Sequence, residues 1–189
     1  MFINSIQDIF IAGTDTSSAT LEWIMSELMK NPSVMRKAQE EVRGVVEQNR
    51  VFVQESDLPK LKYLRMLVKE ALRLHPPLPL LLPRETTEAR IIGGYVIPAK
   101  TRVLINAAAI SMDPEHWEDP EEFKPERFLN SCIDFRGQHF ELIPFGAGLR
   151  GCPGTNFAVL VIELALANLL FRVDWRVPDG MNAEDIDME

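Results

Sequence analysis

Residues 144–154 read Pro-Phe-Gly-Ala-Gly-Leu-Arg-Gly-Cys-Pro-Gly, and the fold turns on how that stretch is understood. Glycines crowd a single cysteine, Cys152, just ahead of an apolar run from about Thr155 to Phe171 that predicts a buried helix. Glycine lets a backbone turn tightly and approach a bulky partner closely. Amides left free in such a turn, together with the N-terminus of the following helix, favour sulfur in its anionic form. Arg150 adds a positive charge two residues away, suited to an anionic group such as a carboxylate.

Working outward, apolar residues spaced by three and four (Ile6, Ile9, Phe10, Leu21, Ile24, Met25, Leu28) predict one long helix from Ile3 to Met29. Its middle, Ala12-Gly13-Thr14-Asp15-Thr16-Ser17-Ser18, is a run of poor helix formers and predicts a bend. Asn31 as N-cap and Pro32 at the first helical position start a second helix that runs to about Val46. A third covers roughly Asp57 to Leu74 and stops at Pro76-Pro77. Short strands follow between Leu80 and Asn106, with Gly93-Gly94 as a turn and Pro98-Ala99-Lys100 as a second break, which predicts a small sheet. Asp113 to Pro125 reads as a loop.

The composition excludes some classes of function. At 189 residues, 46 % hydrophobic and 25 % charged, the chain has the make-up of an ordinary globular domain and not of a disordered one. A net charge of −8 without a basic stripe argues against a nucleic-acid partner. Asp179, Glu184, Asp185, Asp187 and Glu189 read as a solvated acidic end. Cys132 and Cys152 do not make a disulfide framework. His75, His116 and His139 lack the spacing of a helical metal site and read as structural or surface histidines. Met1 to Ser5 has no positive region of the signal-peptide kind. Phe157 to Phe171 suits a buried helix better than a membrane span, so no membrane anchor is expected within this chain.

From the residues alone, the Cys152 loop admits three uses. It could cradle phosphate, although it lacks the Gly-Lys-Ser/Thr ending of a P-loop. It could hold a cysteine nucleophile, although no histidine stands in an evident partnering context. It could ligate haem.

Here a resemblance enters. Phe145-x-x-Gly148-x-Arg150-x-Cys152-x-Gly154 resembles the haem-binding signature of the cytochrome P-450 family, a thiolate-ligated haem class. The resemblance implies that Cys152 is the axial ligand to the iron of haem b (iron protoporphyrin IX) and that Arg150 pairs with a haem propionate. It further implies that Phe145 packs by the sulfur, while Gly148 and Gly154 provide the bend and the close approach. Leu149 stands where plant members often carry a basic residue that could help a reductase dock.

Further motifs follow in the family's order. Ala12-Gly13-Thr14-Asp15-Thr16 is similar to the oxygen-activating segment of the distal helix, where Asp15 and Thr16 would relay protons through a local opening; read alone, it is a bent helix with polar residues. Glu70-Ala71-Leu72-Arg73, by itself a common surface ion pair, would join Arg127 of Pro125-Glu126-Arg127-Phe128 in a buried structural network. Arg84 matches an arginine that contacts a propionate. Pro77 to Leu82 resembles a substrate-lining segment and reads equally well as a plain buried strand.

The implied fold class is mainly α with a small β-sheet, the C-terminal half of the cytochrome P-450 fold, an α+β architecture. Residues 1–189 would form one partial domain, from a distal-helix remnant through the haem-ligand loop to the helix after it. The wording of Leu74-His75-Pro76-Pro77 and of Phe135 to Phe140 is similar to plant microsomal members. The implied activity is haem-dependent monooxygenation: one atom of dioxygen enters a small apolar organic substrate, in plant secondary metabolism. Electrons would come from NADPH through a flavoprotein reductase, and the full-length family sits on the cytoplasmic face of the endoplasmic reticulum membrane. Two alternatives stand beside it, a truncated non-catalytic fragment and a haem-thiolate isomerase or dehydratase; the Asp15–Thr16 pair speaks against the second. The isolated chain is expected to expose apolar surface and to be poorly stable.

Overall fold

The computed structural model describes residues 2–47, 49–178 and 180–186, with side-chain surroundings defined from Ile9 onward, Glu184 excepted. Of the acidic tail, Asp179, Asp187, Glu189 and the Glu184 side chain lie outside the described residues; Asp185 is exposed.

Helix α1 spans Phe2–Lys30 without a break. The local opening expected around Thr16 is not there, and the helix runs through the polar stretch. Thr14 Oγ1 donates to the Phe10 carbonyl, Thr16 Oγ1 to that of Ala12 and Ser18 Oγ to that of Thr14, each at 2.7 Å. Thr20 Oγ1 continues the series to the Thr16 carbonyl at 2.8 Å. Each of these four hydroxyls is satisfied one turn back along its own helix while the backbone ladder stays closed.

Helix α2 spans Pro32–Val45. Asn31 holds the N-cap position, and its carbonyl accepts from the Val34 and Met35 amides. Its side chain caps nothing, however, and instead donates to the Glu27 carbonyl at 2.9 Å, tying α2 to the end of α1. Helix α3 spans Lys62–Leu74 and starts later than the spacing predicts. Residues Glu55–Lys60 form a separate 3-10 turn because Pro59 lacks the N–H an α-helix would need. The free amides at the start of α3 are met from another helix: Glu41 Oε1 accepts from Tyr63 N at 2.8 Å and Oε2 from Leu64 N at 2.9 Å.

The small sheet resolves into two antiparallel ladders. Strand β1 (Arg84–Glu85) pairs with β4 (Arg102–Val103), and β2 (Arg90–Ile92) pairs with β3 (Tyr95–Ile97). Gly93 at φ +57° and Gly94 at φ +84° make the β2–β3 turn, a conformation that favours glycine at both positions. A short helix α4, Ala107–Ser111, was not legible; Asn106 Oδ1 caps it, accepting from Ala109 N at 3.0 Å. Helix α5 spans Thr155–Arg172. At 18 residues it is long and apolar enough to cross a membrane by length and composition. Yet Leu166, Ala167 and Leu170 are wholly buried among α1, α2 and α3.

One apolar core joins these helices: Ile24 and Leu28 of α1, Ala38 and Val42 of α2, Leu67 and Val68 of α3, Ile162 and Leu166 of α5. Outside it, Ile9, Phe10, Leu82, Phe140 and Phe157 are exposed.

Candidate functional site

The Cys152 loop is built between the 3-10 turn at Gly148–Arg150 and the first turn of α5. Gly146 at φ +71° and Gly148 at φ +70° take left-handed conformations that cost other residues strain. The loop closes on itself: Gly146 N donates to the Ile143 carbonyl, Gly151 N to that of Gly148 and Cys152 N to that of Phe145. A methyl on Gly151 would stand 3.3 Å from the Gly148 carbonyl oxygen, which explains a glycine there.

Cys152 is exposed, as are Arg150 and Leu149. Phe145 lies behind the loop, its ring edge-on to buried Phe135 with centroids 5.5 Å apart. Gly154 leaves the flank of the sulfur bare, since a side chain there would begin 3.8 Å from Sγ. Three loop amides are taken by carbonyls, and among the described residues none donates to Sγ. Three of the loop amides expected to face the sulfur are therefore occupied elsewhere, and Cys152 stands three residues ahead of the first residue of α5.

Arg84, at the start of β1, reaches the same loop. Its Nη2 lies 3.5 Å from the Arg150 carbonyl and near Gly146. Its Nε is buried and finds no partner among the described residues. A buried guanidinium N–H without an acceptor costs roughly 1–3 kcal/mol, so this one calls for an anion. An exposed thiol, a bare glycine flank and an orphaned arginine donor together fit a flat, metal-bearing, carboxylate-edged group such as haem. The structure thus brings Arg84, Phe145, Gly148, Arg150, Cys152 and Gly154 into one region. Asp15, exposed, and Thr16, half-buried, stay on α1, which packs against α5.

Glu70 and Arg73 are wholly buried on α3. Glu70 Oε2 accepts from Arg73 Nε at 2.9 Å. Its Oε1 accepts three bonds: Arg73 Nη2 at 2.9 Å, Lys124 N at 2.9 Å and Arg127 Nε at 2.8 Å. The guanidiniums carry the network into the loop after α4. Arg73 Nη1 donates to the Ser111 and Pro120 carbonyls, and Arg127 to those of Glu118, Asp119 and Glu122. Trp117 sits within 5.3 Å of Arg73 and 5.9 Å of Arg127, ring centroid to guanidinium carbon. The sequence names the three charged residues but not Trp117 or the carbonyls, whose only signal was an aromatic in a loop crowded with Pro, Asp and Glu.

Other charged groups brace the helices. Glu163 of α5 is buried, which pushes its carboxyl up from the usual range, while Arg65 at 3.4 Å pulls it the other way. Lys69 of α3 donates to the Ile133 carbonyl and pairs with Asp134. Among the described residues no cluster of three or more His, Cys, Asp or Glu could hold a metal ion.

The fold and the loop define a class: a mainly helical protein that presents an exposed cysteine, on a glycine-bent turn, at the head of a core helix. The chain belongs to the cytochrome P450 family, whose profile matches residues 3–189. It is similar to cytochrome P450 71A9 of Glycine max, 64% identical over 182 residues, covering 96% of this chain and 36% of that protein. It is also similar to strychnine-11-hydroxylase of Strychnos nux-vomica, 60% identical over 181 residues, covering 96% of this chain and 35% of that one. Among solved structures, a zebrafish cytochrome P450 with progesterone matches with a TM-score of 0.77 at 36% identity, over 86% of this chain and 36% of that chain. The chain spans about a third of the length of these relatives.

Proposed function

We propose that this chain carries the haem-ligand side of a monooxygenase that inserts one atom of dioxygen into a small apolar organic substrate of plant metabolism. The single observation behind this is the exposed Cys152 on its glycine bend, with the unpartnered Arg84 N–H beside it. Cys152 would bind the iron of haem b, and Arg84 and Arg150 would take its propionates. When bound, thiolate-ligated haem supplies the chemistry of dioxygen activation.

The residues of this chain have narrower tasks. Gly154 keeps the approach to the sulfur clear, and Gly148 supplies the left-handed bend. Phe145 shields its rear against water. Thr16 has given its one hydroxyl proton to the Ala12 carbonyl, so it serves first as an acceptor and donates onward only by releasing that bond. Asp15, exposed beside it, would resupply the proton. Leu78, Leu80 and Leu82, each partly or largely exposed, would offer an apolar wall to the substrate. A relative named strychnine-11-hydroxylase supports oxygenation of an organic substrate. Electrons would arrive from NADPH through a flavoprotein reductase, at the cytoplasmic face of the endoplasmic reticulum.

The test is the absorption spectrum of the reduced protein with carbon monoxide. Thiolate ligation is expected in the unaltered protein and should disappear in Cys152→Ser. A Cys152→Ser spectrum identical to the parent would overturn the assignment.

A further inference from the structure

Three of this protein's features meet at His75, which the chemistry above leaves unused. Its ring stacks on Trp23 of α1, with centroids 4.0 Å apart and planes 13° from parallel. Its Nε2 lies 2.8 Å from Glu27 Oε1, also on α1, and Glu27 is only 8 % exposed. Asn31 Nδ2 steadies the other carboxylate oxygen at 3.3 Å. The His75 backbone amide closes α3 on the Ala71 carbonyl at 2.8 Å. One residue therefore ends α3 and fastens that end to α1 through both a hydrogen bond and a stacked face.

What leaves His75 is a stiff strap. Pro76, Pro77, Pro79 and Pro83 fix φ at four of the eight positions before Arg84. The strap turns at Leu78–Leu81, with Leu81 N donating to the Leu78 carbonyl and Leu81 held at φ +51°. A leucine in that left-handed region persists only when its surroundings hold it there. The strap is gripped midway, where Ala108 N donates to the Pro79 carbonyl at 3.1 Å. It ends at Arg84, whose Nη2 lies 3.5 Å from the Arg150 carbonyl of the Cys152 loop. Proline at half of the strap's positions narrows the directions its end can take from a fixed start.

We propose that His75 is a positioning residue: by seating the proline strap on Trp23 and Glu27 it aims the Arg84 guanidinium at the anionic edge of the cofactor. This rests on the haem reading given above. It separates two residues that look alike in sequence. Arg84 touches the cofactor, whereas His75 acts on it only through Arg84. The effects of altering the two must therefore be non-additive, while residues acting independently add.

The experiment measures the rate at which the haem-loaded protein gives up haem to excess apomyoglobin. The variants are His75→Phe, which keeps the stacked face, His75→Gln, which keeps an N–H donor, Arg84→Gln, and each His75 change combined with Arg84→Gln. His75→Phe is expected to speed haem loss roughly three- to tenfold, with His75→Gln partly restoring the slow rate. In the Arg84→Gln background neither His75 change should speed loss further. The thermal midpoint of the haem-free protein is read alongside, and it should not follow the same order. Multiplying effects in the double variants, or no effect of either His75 change alone, would sink the strap while leaving the haem reading intact. If His75→Phe does not fold, the His75→Gln pair decides by the same criterion. A parent protein that takes up no haem, or a Cys152→Ser variant that binds it indistinguishably, sinks the haem reading itself and the strap with it.

Discussion

Replacing Glu70 by glutamine should be among the most damaging isosteric changes available in this chain. The carboxylate is wholly buried and accepts four hydrogen bonds, three of them on Oε1. Glutamine keeps the shape but offers one oxygen and an NH2 group. Whichever way the amide turns, its N–H donors face Arg73 and Arg127, or Arg73 alone, which can only donate. Two guanidiniums are then left without their anion, one of them wholly buried. Removing one partner of a buried ion pair costs about 3–5 kcal/mol, against roughly 5–15 kcal/mol for the stability of a whole domain. In a protein of this size each kcal/mol shifts the thermal midpoint by about 2–4 °C, so the expected loss is roughly 6–20 °C. Thermal unfolding followed by circular dichroism measures it. The Asp113–Pro125 loop, held by Arg73 and Arg127 through carbonyls, should also become the first site of limited proteolysis. A midpoint within about 2 °C of the parent, with unchanged proteolysis, would show that this network carries no net stability and refute the reasoning.

Two further outcomes follow from the bracing of the helices. Glu41→Ala removes the carboxylate that meets the Tyr63 and Leu64 amides and should cost about 0.5–2 kcal/mol, read as a lower urea midpoint with an unchanged slope. Glu163 has a folded-state carboxyl raised by burial, so between the ordinary glutamate value and the raised one the native state holds the extra proton. Stability from this group is thus fully present below the ordinary value and falls as pH rises through the raised one. Glu163→Gln should remove that decline, and the urea midpoint of the variant minus that of the parent should grow as pH rises above the ordinary glutamate value; a constant or shrinking difference contradicts it.

Helical periodicity made α1 legible, the Asn31-Pro32 start made α2 legible, and the unbroken apolar run after the Cys152 loop made α5 legible. The Cys152 loop was legible because its backbone demands are written in residue type: Gly146 and Gly148 occupy left-handed positions. What stayed hidden depends on tertiary partners. Nothing around residue 57 says that Pro59 would split off a 3-10 turn while Glu41, from another helix, supplied the true start of α3. Arg84 reads as one arginine among several until the fold leaves its Nε buried without an acceptor.

The region from Met112 to Gly154 holds only short 3-10 turns, yet it delivers Cys152 to a defined place. Long irregular stretches are uncommon in compact domains because they bury little apolar surface for the entropy they give up. Here the anchoring comes from one face of α3. Lys69 grips Ile133 and Asp134, Glu70 grips Lys124 and Arg127, and Arg73 grips Ser111, Pro120 and Glu122. Phe135, one residue beyond Asp134, packs edge-on against Phe145, whose carbonyl holds the Cys152 amide. The position of the sulfur is thus referred back, contact by contact, to three neighbouring side chains of one helix, Lys69, Glu70 and Arg73. That chain of contacts explains why charges that never approach the sulfur are buried at such cost: on this reading the ligand loop stays preformed only while α3 keeps its hold on the backbone that leads to it.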